Sequence, residues 1–555
     1  MSNRSTRRSL AIWYTPEAKS RRSTDPVYGA GVATHDFTNA LIRFSRIPVL
    51  ELLTPWDATM TAKPPLFAQD REAGPELRVR PVDALFSARP DFPIGVYHDI
   101  HADPVRGFRL RGLYSPQPFP VTLTHHTVSY ATQREDWYRR LLLEDVRPYD
   151  SIICTSTAAR DAIRLGLAAQ ADFFERRFAK RMDFRGRLDV LPLGVDAEIF
   201  RPRDRADARA QMQLPSKPFI FLWVGRFSAA QKGDLLPLIR VFRMLQRANS
   251  KRDLMLVLAG TSAGPDAQFF TDYAEKLGVA SKVRVMTDLE PSRRHLLYGV
   301  ADVFVSPVEN VQETFGITPI EALAAGVPQV VSDWDGYRDT VVDGETGFRI
   351  PTLWMKAEAD VMPATLIHQD PHLDHGVAGQ GTAVDFGLLQ QRLQELLDNP
   401  QLLRKMGRAS RKRALACFDW RPLIRRYEEL WKTLGADARR DTTHAARSRE
   451  RAPDLHSLFG LFHGYATVLL DDKSRIRLRA DAKDIVEGKE PVPSYHRGFG
   501  LDGELIAGLM QELLWGGKKG RTFTQLLEAF PERHPDLVRR HGMWLLKYGY
   551  AERVG

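Results

Sequence analysis

The sequence predicts an α/β protein with two doubly wound domains facing a cleft, followed by a small α+β domain. Between residues 217 and 348, short runs that are apolar throughout alternate with stretches of helical spacing. Residues 1–200 repeat this alternation in a looser form, and after Trp431 the pattern changes. Strands without a polar face need cover on both sides, which favours parallel sheets flanked by helices.

Composition restricts the class of protein. The chain has 555 residues and a formal net charge of +10, and 43% of its residues are hydrophobic. These values are typical of a globular protein with about three domains and exclude a disordered chain. The two cysteines, Cys154 and Cys417, are too few for a disulfide framework or a cysteine zinc site. Apolar runs fall short of the roughly 20 residues of a membrane helix, so we expect a cytoplasmic protein, at most peripheral to the inner face of the membrane.

Five buried strands are predicted in the second α/β half, separated by helical patterns. The predicted strands are 219–225, 254–260, 282–287, 303–307 and 329–333. The predicted helices are 234–249, 266–278, 293–300 and a short helix that begins at Pro319. This alternation predicts βαβ units, whose ligands bind in the crevice at the carboxyl ends of the strands.

The first half carries a matching set of apolar runs. Its predicted strands are 10–17, 49–55, 93–99, 120–126 and 149–157. We therefore assign residues 1–200 to an N-terminal Rossmann-like domain and residues 201–434 to a second Rossmann-like domain.

The last part of the chain is predicted to be separate. Residues 435–454 are charged and poor in apolar side chains, which predicts a linker. Residues 455–555 are predicted to form a small winged-helix-like domain with a hairpin around Asp471 and Asp472, and with helices at 505–515, 522–530 and 535–548. An accessory protein-contact or oligomerisation unit is the favoured interpretation, and the alternative is a nucleic-acid-binding unit. The cations that suggest this alternative are Lys518, Lys519, Arg521, Arg539 and Arg540.

The segment ETFGITPIEALAAG predicts an anion-binding helix start. Thr318, Pro319 and Glu321 supply a cap, a proline at the first helical position and an acid at the third. Gly316 lets a ligand approach the backbone, and the free amides of the helix start favour a diphosphate. Glu313 and Glu321 would repel a diphosphate, so we expect them to accept hydrogen bonds from sugar or ribose hydroxyls. The alternative is that Glu321 is merely half of a capping box.

The loop VGRFSAAQKGD, residues 224–234, carries Arg226 and Lys232 at the carboxyl end of a strand. Arginine binds phosphate through a bidentate fork and lysine binds it as a compact charge. Both would also stabilise negative charge that develops on a leaving group. The alternative is a pair of solvated surface cations.

Together these segments resemble the retaining GT-B glycosyltransferases of family 4 (glycosyl transferase group 1), which includes relatives of sucrose and glycogen synthases. The matching segments are VGRF with KG at 224–233, LMLVLAG at 254–260, residues 301–348, LPLGVDAEIFRP at 191–202 and FDWRPLIRRYEELW at 418–431. The resemblance covers residues 1–434. It implies a GT-B fold in which 1–200 is the acceptor domain and 201–434 is the nucleotide-sugar donor domain, with a return helix at 418–434.

The resemblance also implies roles for individual residues. Glu313, His126, Arg226 and Lys232 would be catalytic; the two cations would bind the donor diphosphate and Glu313 the donor sugar. Glu321 would bind the ribose hydroxyls, and the region around residues 287–290 would line the base pocket. The full donor-binding set implied is Gly29, Gly31, Gly225, Arg226, Lys232, Gly260, Asp288, Leu289, Glu313, Thr314, Phe315, Gly316, Ile317, Thr318 and Glu321.

Two segments of the first domain complete the implied site. YGAGVATHDFTNAL resembles the glycine loop of the family, so Gly29 and Gly31 would let the backbone approach the donor phosphate or the acceptor. THH ends a strand where the family places a histidine near the reacting carbon. His126 fits the spacing better than His125, and His125 is the alternative for this role. The residues predicted for the acceptor side are His98, Asp99, His101 and His125.

Two further patterns suggest a metal, but neither is interpreted as a metal site. DWD, residues 333–335, is interpreted as a loop, because the family that the chain resembles uses no metal there. HQDPHLDH, residues 368–375, lies in a polar insertion at 352–383, where a solvated loop is expected. No metal and no cofactor are expected.

The expected reaction moves a sugar from a nucleotide-diphosphate sugar to a hydroxyl of a glycan, a lipid-linked or a small-molecule acceptor, with retention. One alternative is a catalytically degenerate protein whose C-terminal domain regulates or binds protein or nucleic acid. Another is a phosphorylase or an epimerase-like relative. The basic run 176–187 could contact anionic lipid, or it is a solvated helix face. No nucleic-acid partner is expected.

Overall fold

A computed structural model of the chain describes residues 9–14, 29–54, 74–81, 94–115, 117–262, 265–287, 289–355, 371–443, 458–482, 485, 489, 493 and 501–554. Within these ranges the chain forms two large sheets, a two-stranded sheet and a three-stranded sheet.

The first domain is built on a seven-stranded parallel sheet. Its strands are β1 (Ser9–Trp13), β2 (Val49–Thr54), β3 (Glu76–Pro81), β4 (Ile94–Asp99), β5 (Val121–His125), β6 (Ser151–Cys154) and β7 (Arg187–Val190). They lie in the order β3-β2-β1-β4-β5-β6-β7, and neighbouring strands are parallel. The strand order reverses between β1 and β4, which opens a crevice at the carboxyl ends of the strands.

Helices pack on both faces of this sheet. They are α1 (Gly29–Phe44), α2 (Arg106–Tyr114), α3 (Tyr138–Leu143), which follows a π-helical segment (Thr132–Trp137), and α4 (Thr157–Phe178). One apolar core contains Phe37 of α1 and the other contains Phe174 of α4. Helix α4 begins where the Ser156 side chain accepts a hydrogen bond from the Ala159 amide at 3.0 Å, a capping contact typical of serine.

The second domain repeats this architecture with six parallel strands. They are β8 (Phe219–Phe227), β9 (Leu254–Ser262), β10 (Val283–Met286), β11 (Val303–Ser306), β12 (Gln329–Ser332) and β13 (Gly347–Ile350). Their order is β10-β9-β8-β11-β12-β13, so the reversal lies between β8 and β11. A side chain at Gly260 would lie 1.5 Å from the Gly225 carbonyl oxygen, so the close approach of β8 and β9 requires glycine there.

The helices of the second domain connect these strands and extend beyond them. They are α5 (Arg205–Gln211), α6 (Leu236–Ala248), α7 (Asp266–Lys276), α8 (Arg294–Val300), α9 (Ile317–Ala324), α10 (Tyr337–Thr340), α11 (Pro371–Gln380), α12 (Phe386–Asp398) and α13 (Pro400–Arg413). The apolar face of α6 is buried against β8 and β9 in one core of the domain.

Residues 352–383 are partly folded, contrary to the expected solvated loop. In their described part, β14 (Thr352–Trp354) pairs with β15 (Thr382–Val384), and α11 lies between them in sequence. His375 of α11 is 1% exposed. The prediction from polarity was wrong because this helix is held by polar contacts, including one from the Asn310 side chain to the His375 carbonyl oxygen. His368 of the same segment lies outside the described residues.

The return helix, α14 (Trp420–Ala438), packs on the first domain. The Trp431 indole N–H donates to Thr122 Oγ1 at 3.1 Å. The chain stays folded beyond this helix, since the Tyr149 hydroxyl donates to Asp441 at 2.8 Å. The predicted linker at 435–454 therefore begins with residues that belong to the folded core.

The tail forms its own core from helices and a three-stranded antiparallel sheet. Its elements are α15 (Leu458–Phe462), β16 (Arg475–Leu478), α16 (Gly503–Gly516), β17 (Arg521–Thr522), α17 (Phe523–Ala529), α18 (Pro535–Lys547) and β18 (Ala551–Val554). The predicted hairpin around Asp471 and Asp472 was wrong. Asp471 does stabilise a turn through the Ser474 amide, but β16 pairs with β17 and β18 rather than with the residues before the turn.

Two of the tail cations proposed for nucleic acid are already paired. Arg539 lies 2.7 Å from Asp472 and from Asp536, and Arg521 lies 3.3 Å from Glu512.

Among the helices of the described residues, none is both long and apolar enough to cross a membrane.

Candidate functional site

A cavity of about 740 Å³ lies between the two large domains. The second domain lines it with residues at and beyond the carboxyl ends of β8, β9 and β11, and the first domain lines it from α1 and from the turn after β5. The predicted site residues that line it are His126, Gly225, Arg226, Lys232, Gly260, Leu289, Glu313, Thr314, Phe315, Gly316, Ile317, Thr318 and Glu321. Residues far apart in sequence therefore share one cleft.

Gly316 sets the start of helix α9. It is the N-cap residue of that helix and has a left-handed φ of 92°. A side chain there would lie 2.3 Å from Tyr337 Cε1, so both the backbone and the available space require glycine. The predicted helix start, with Thr318 as cap and Pro319 first, was wrong by two residues, because the glycine turn and not the threonine hydroxyl ends the preceding loop.

Glu313 lies in the turn between β11 and α9, where its carboxylate is held by three donors. Lys232 Nζ donates to Glu313 Oε2 at 2.8 Å, and the backbone amides of Phe315 and Thr314 also donate to this carboxylate. Burial alone would raise the pKa of Glu313, but Lys232 and the two amides lower it below its ordinary value. Glu313 is therefore an anion at neutral pH, and it accepts hydrogen bonds from the amides of Thr314 and Phe315, two residues of the predicted donor-binding set.

Lys232 is presented by a tight turn after β8. The amides of Lys232 and Gln231 donate to the Ser228 carbonyl oxygen at 2.8 and 3.2 Å. Gly233, the next residue, has a φ of 133°, which glycine adopts without strain. Arg226 lies at the end of β8 and lines the same cavity.

Glu321 is buried at the opposite side of the turn and binds two donors. The Arg294 guanidinium lies 2.8 Å from its carboxylate, and the Tyr298 hydroxyl donates at 2.5 Å. Burial raises the pKa of Glu321, with Arg294 opposing. Its carboxylate is thus engaged with side chains of α8 and does not form the capping box considered from sequence.

Arg294 also faces an acid of the first domain. Burial raises the pKa of Asp36 of α1, and the charges of His35 and Arg294 oppose this rise. Asp36 and Arg294 both line the cavity. An arginine therefore lies between acids from the two domains at the side of the cleft where ribose and base were predicted.

His126 lines the cavity as a neutral side chain. Burial lowers its pKa to about 4, so its imidazole carries no charge at neutral pH. Its Nδ1 lies 3.1 Å from Thr127 Oγ1, and its carbonyl oxygen accepts a hydrogen bond from Thr314 Oγ1 at 2.8 Å. The histidine turn of one domain thus contacts the Glu313 turn of the other.

Three predicted acceptor-side residues lie in the core of the first domain instead. His98 is fully buried with its ring 5.4 Å from that of Trp431. His125 is stacked on Trp137 with ring centroids 4.0 Å apart. Asp99 is fully buried and bonded to Arg106 at 2.7 Å. Side chains alternate along a strand, so residues before the strand end point into the two cores rather than into the cleft.

The remaining predicted residues have different placements. His101 is exposed after β4 and does not line the cavity. Gly29 and Gly31 belong to the first turns of α1, so they form a helix start and not the loop predicted before it. Asp288 lies outside the described residues.

Several cavity residues were not identified from sequence. The most informative are polar side chains close to the acids and to the turn after β5: Asp36, Thr127, Gln133, Arg294, His295 and Gln312. Arg294 and His295 were assigned to a helix but not to the site. The signal available for them was their position directly after the predicted base-pocket segment, at the start of a helix in the cleft.

The arrangement is suited to an anion attached to a polyol. Lys232, Arg226 and the start of α9 supply positive charge, and Glu313 and Glu321 supply acceptors for hydroxyl groups. Among the described residues, no group of histidine, cysteine, aspartate and glutamate side chains is placed to hold a metal ion.

Comparison with known proteins gives a family match within the second domain. Residues 204–362 match the family model described as glycosyl transferases group 1. A D-inositol 3-phosphate glycosyltransferase of Nocardia farcinica is 33% identical over 208 residues, which are 36% of this chain and 45% of that protein. A relative of the same name from Streptomyces avermitilis is 28% identical over 267 residues, 47% of this chain and 50% of that protein. The chain thus spans about half the length of these relatives.

One solved structure supports the architecture. Sucrose-phosphate synthase (tll1590) from Thermosynechococcus elongatus is 20% identical and superposes with a TM-score of 0.50, covering 78% of this chain and 100% of that chain. This likeness bears on the fold alone. It confirms the predicted GT-B architecture of two Rossmann-like domains facing a cleft.

Proposed function

We propose, from the match of residues 204–362 to the family model of the glycosyl transferases group 1, that the protein transfers a sugar from a nucleotide-diphosphate sugar to an acceptor hydroxyl. The observation that carries the proposal is the meeting of Lys232, Arg226, Glu313 and the start of α9 in one interdomain cavity. A diphosphate needs the cations and the helix start, and the attached sugar needs the carboxylate.

The donor is proposed to bind with its diphosphate between Arg226, Lys232 and the amides at the start of α9. Glu313 then accepts hydrogen bonds from the sugar hydroxyls, while the ion pair with Lys232 fixes the orientation of the Glu313 carboxylate. Glu321 is proposed to bind the ribose, which requires the ribose to share the carboxylate with Arg294 or to displace it. This contact makes Arg294 part of the nucleoside side of the site.

The proposed reaction proceeds with retention and without a metal. The bond between the anomeric carbon and the diphosphate oxygen breaks with oxocarbenium character. The acceptor oxygen bonds to that carbon from the same face, and its proton passes to the departing phosphate oxygen. Arg226 and Lys232 stabilise the charge on the leaving diphosphate, the electrostatic task that a metal performs in other enzymes.

The acceptor is proposed to enter from the first domain. His126 lines that side of the cavity and is neutral, so it can exchange hydrogen bonds with a hydroxyl but brings no charge. The proposed acceptor classes are a glycan, a lipid-linked acceptor or a small molecule.

Thermal-shift measurements with UDP-, GDP- and ADP-sugars test the donor, because a ligand that binds the folded state raises the melting temperature by mass action. We expect one nucleotide class to stabilise the protein at millimolar concentration without a divalent ion. The active donor is then used with candidate acceptors to follow release of the nucleoside diphosphate. Absence of a shift with all three classes would contradict the proposed function.

Three substitutions test the residues that carry it. Glu313→Gln, Lys232→Ala and Arg226→Ala should each lower turnover by about a hundredfold or more, because each removes charge that stabilises the transition state. Arg181→Gln serves as a control, since the ion pairs of Arg181 within the described part of the chain are with Asp172, Glu175 and Asp183 on the surface of the first domain. Near-normal turnover in the three variants would rule out the assignment.

A further inference from the structure

Two adjacent polar residues, Glu309 and Asn310, are buried between the Lys232 turn and the Glu313 turn. Glu309 is 7% exposed and Asn310 is fully buried. They follow β11 and precede Glu313 by four and three residues. Buried polar side chains are costly unless they are bonded, so their contacts show what they stabilise.

Glu309 binds the chain just after Lys232. Its Oε1 accepts a hydrogen bond from the Asp234 amide at 2.7 Å. A side chain at Gly233 would lie 3.2 Å from Glu309 Oε2, so the carboxyl group packs directly against the glycine turn. Glu309 therefore fixes the backbone on the C-terminal side of Lys232.

Asn310 binds the chain just before Lys232. Its Nδ2 donates to the Ala230 carbonyl oxygen at 2.5 Å and to the His375 carbonyl oxygen at 3.3 Å. Its Oδ1 accepts from the Gln312 amide at 2.8 Å, which is next to Glu313. The amide side chain thus joins both loops.

We propose that Glu309 and Asn310 are positioning residues that hold Lys232 against Glu313 and so determine how tightly the donor diphosphate is bound. The inference rests on the proposed function. Lys232 is bracketed, with Ala230 held two residues before it and Asp234 two residues after it. Both contacts come from the segment that leads into Glu313. The same segment therefore holds the backbone near both residues of the 2.8 Å ion pair, Lys232 and Glu313.

A role in folding alone would not require this pattern. Each contact could stabilise the domain wherever it occurred, but these contacts converge on the two residues that flank the catalytic lysine. Because the long side chain of lysine is flexible, the position of its ammonium group depends on the backbone that carries it. Small misplacement of a group that binds the transition state has large effects on rate.

The principal test is Asn310→Leu, which keeps the approximate shape of the side chain and removes its hydrogen bonds. We expect the Kd for the nucleoside diphosphate that the wild type binds to rise by about tenfold or more, with a fall in kcat, because Ala230 and Lys232 lose their anchor. Binding is measured by calorimetry on the full chain and turnover by nucleoside diphosphate release.

Asn249→Leu is the matched control. Asn249 also donates from Nδ2 to a backbone carbonyl, that of Leu245 at 2.8 Å, and to Gln394 at 2.7 Å. It lies at the C-terminal end of α6, and the C-terminal ends of helices in βαβ units lie away from the cleft edge of the sheet. We expect a lowered melting temperature in this variant with Kd and kcat within about twofold of wild type.

A double substitution separates positioning from general destabilisation. If Asn310 acts through Lys232, then adding Asn310→Leu to Lys232→Ala should change Kd by less than about twofold, because the group it positions is already gone.

Substitutions of Glu309 give an independent test that does not depend on the folding of the Asn310 variant. Glu309→Gln keeps an acceptor for the Asp234 amide and should bind normally, whereas Glu309→Ala should weaken binding.

The outcomes are distinguishable. Wild-type affinity and turnover in both Asn310→Leu and Glu309→Ala, or full additivity with Lys232→Ala, would overturn the positioning role and leave the proposed function standing. If the wild-type protein binds no nucleoside diphosphate, the proposed function fails and the positioning role fails with it.

Discussion

At the scale of single residues, Glu309 connects the site to the pH dependence of stability. Burial raises its pKa from 4.5 to about 8, partly opposed by the Asp234 amide. A carboxyl group with a raised pKa in the folded state contributes stability that is complete below its unfolded pKa and is lost as pH rises through the folded value. The window for this loss therefore runs from about pH 4.5 to about pH 8.

Glu309→Gln removes this titration while keeping an uncharged side chain of the same shape. We expect the variant to match wild type near the acid end of the window and to exceed its free energy of unfolding by up to a few kcal/mol at pH 8. Urea unfolding of both proteins at several pH values measures the difference. Parallel curves for the two proteins would show that Glu309 ionises at its ordinary pKa.

Other residues show why the site was only partly predictable. Glu313, Lys232 and Arg226 could be predicted to line the cleft because each lies close to a glycine and at or after the end of a predicted strand, a local pattern visible in sequence. Arg294 has no such pattern, since its role depends on Glu321, which is 27 residues away in sequence and adjacent only in the fold. His125 and His126 differ by one position, and only the pleat of β5 decides which one reaches the cleft.

At the scale of elements, most strands of the two large sheets were predictable, and the pairing of the tail strands was not. Apolar runs such as 219–225 and 329–333 fall on β8 and β12, because strands covered on both faces must be apolar throughout. Strand β18 is short, has alternating polarity and pairs with β16, which lies more than 70 residues earlier in the chain. Such pairing depends on long-range contacts, so the local sequence favoured a hairpin that does not form.

The return helix α14 gives a prediction at this scale. Trp431 is 2% exposed, packs 5.5 Å from the Tyr427 ring and donates to Thr122. Trp431→Ala should cost about 3–5 kcal/mol, because it leaves a cavity between the helix and the first domain and removes the hydrogen bond to Thr122. Trp431→Phe keeps most of the ring and should cost about 1 kcal/mol for the lost hydrogen bond. Urea unfolding measures both, and equal costs would mean that packing of the ring contributes little.

At the scale of the whole molecule, the cleft is bridged on two sides. Thr314 binds the His126 carbonyl oxygen, and the Ser156 hydroxyl donates to the Thr314 carbonyl oxygen at 2.6 Å. On the side of the insertion, Arg134 of the first domain lies 2.5 Å from Asp374 of α11. Asp374 is followed by His375, whose carbonyl oxygen accepts a hydrogen bond from Asn310. The Arg134–Asp374 bridge is therefore connected to the segment proposed to position Lys232.

The Arg134–Asp374 pair should therefore bias the protein toward the bridged arrangement of its domains. Because Arg134 is 47% exposed, the pair contributes at most about 1 kcal/mol, which corresponds to a shift of about fivefold in the open-to-closed equilibrium. Arg134→Gln should increase the radius of gyration measured by small-angle X-ray scattering at low salt.

Raising the ionic strength should produce the same expansion in wild type, because salt screens exposed pairs. Arg181→Gln, which removes exposed ion pairs within the first domain only, should leave the radius unchanged. An equal radius for wild type and Arg134→Gln at low salt would mean that the other interdomain contacts, those of Thr314 and of the return helix α14 among them, hold the domains together without this pair.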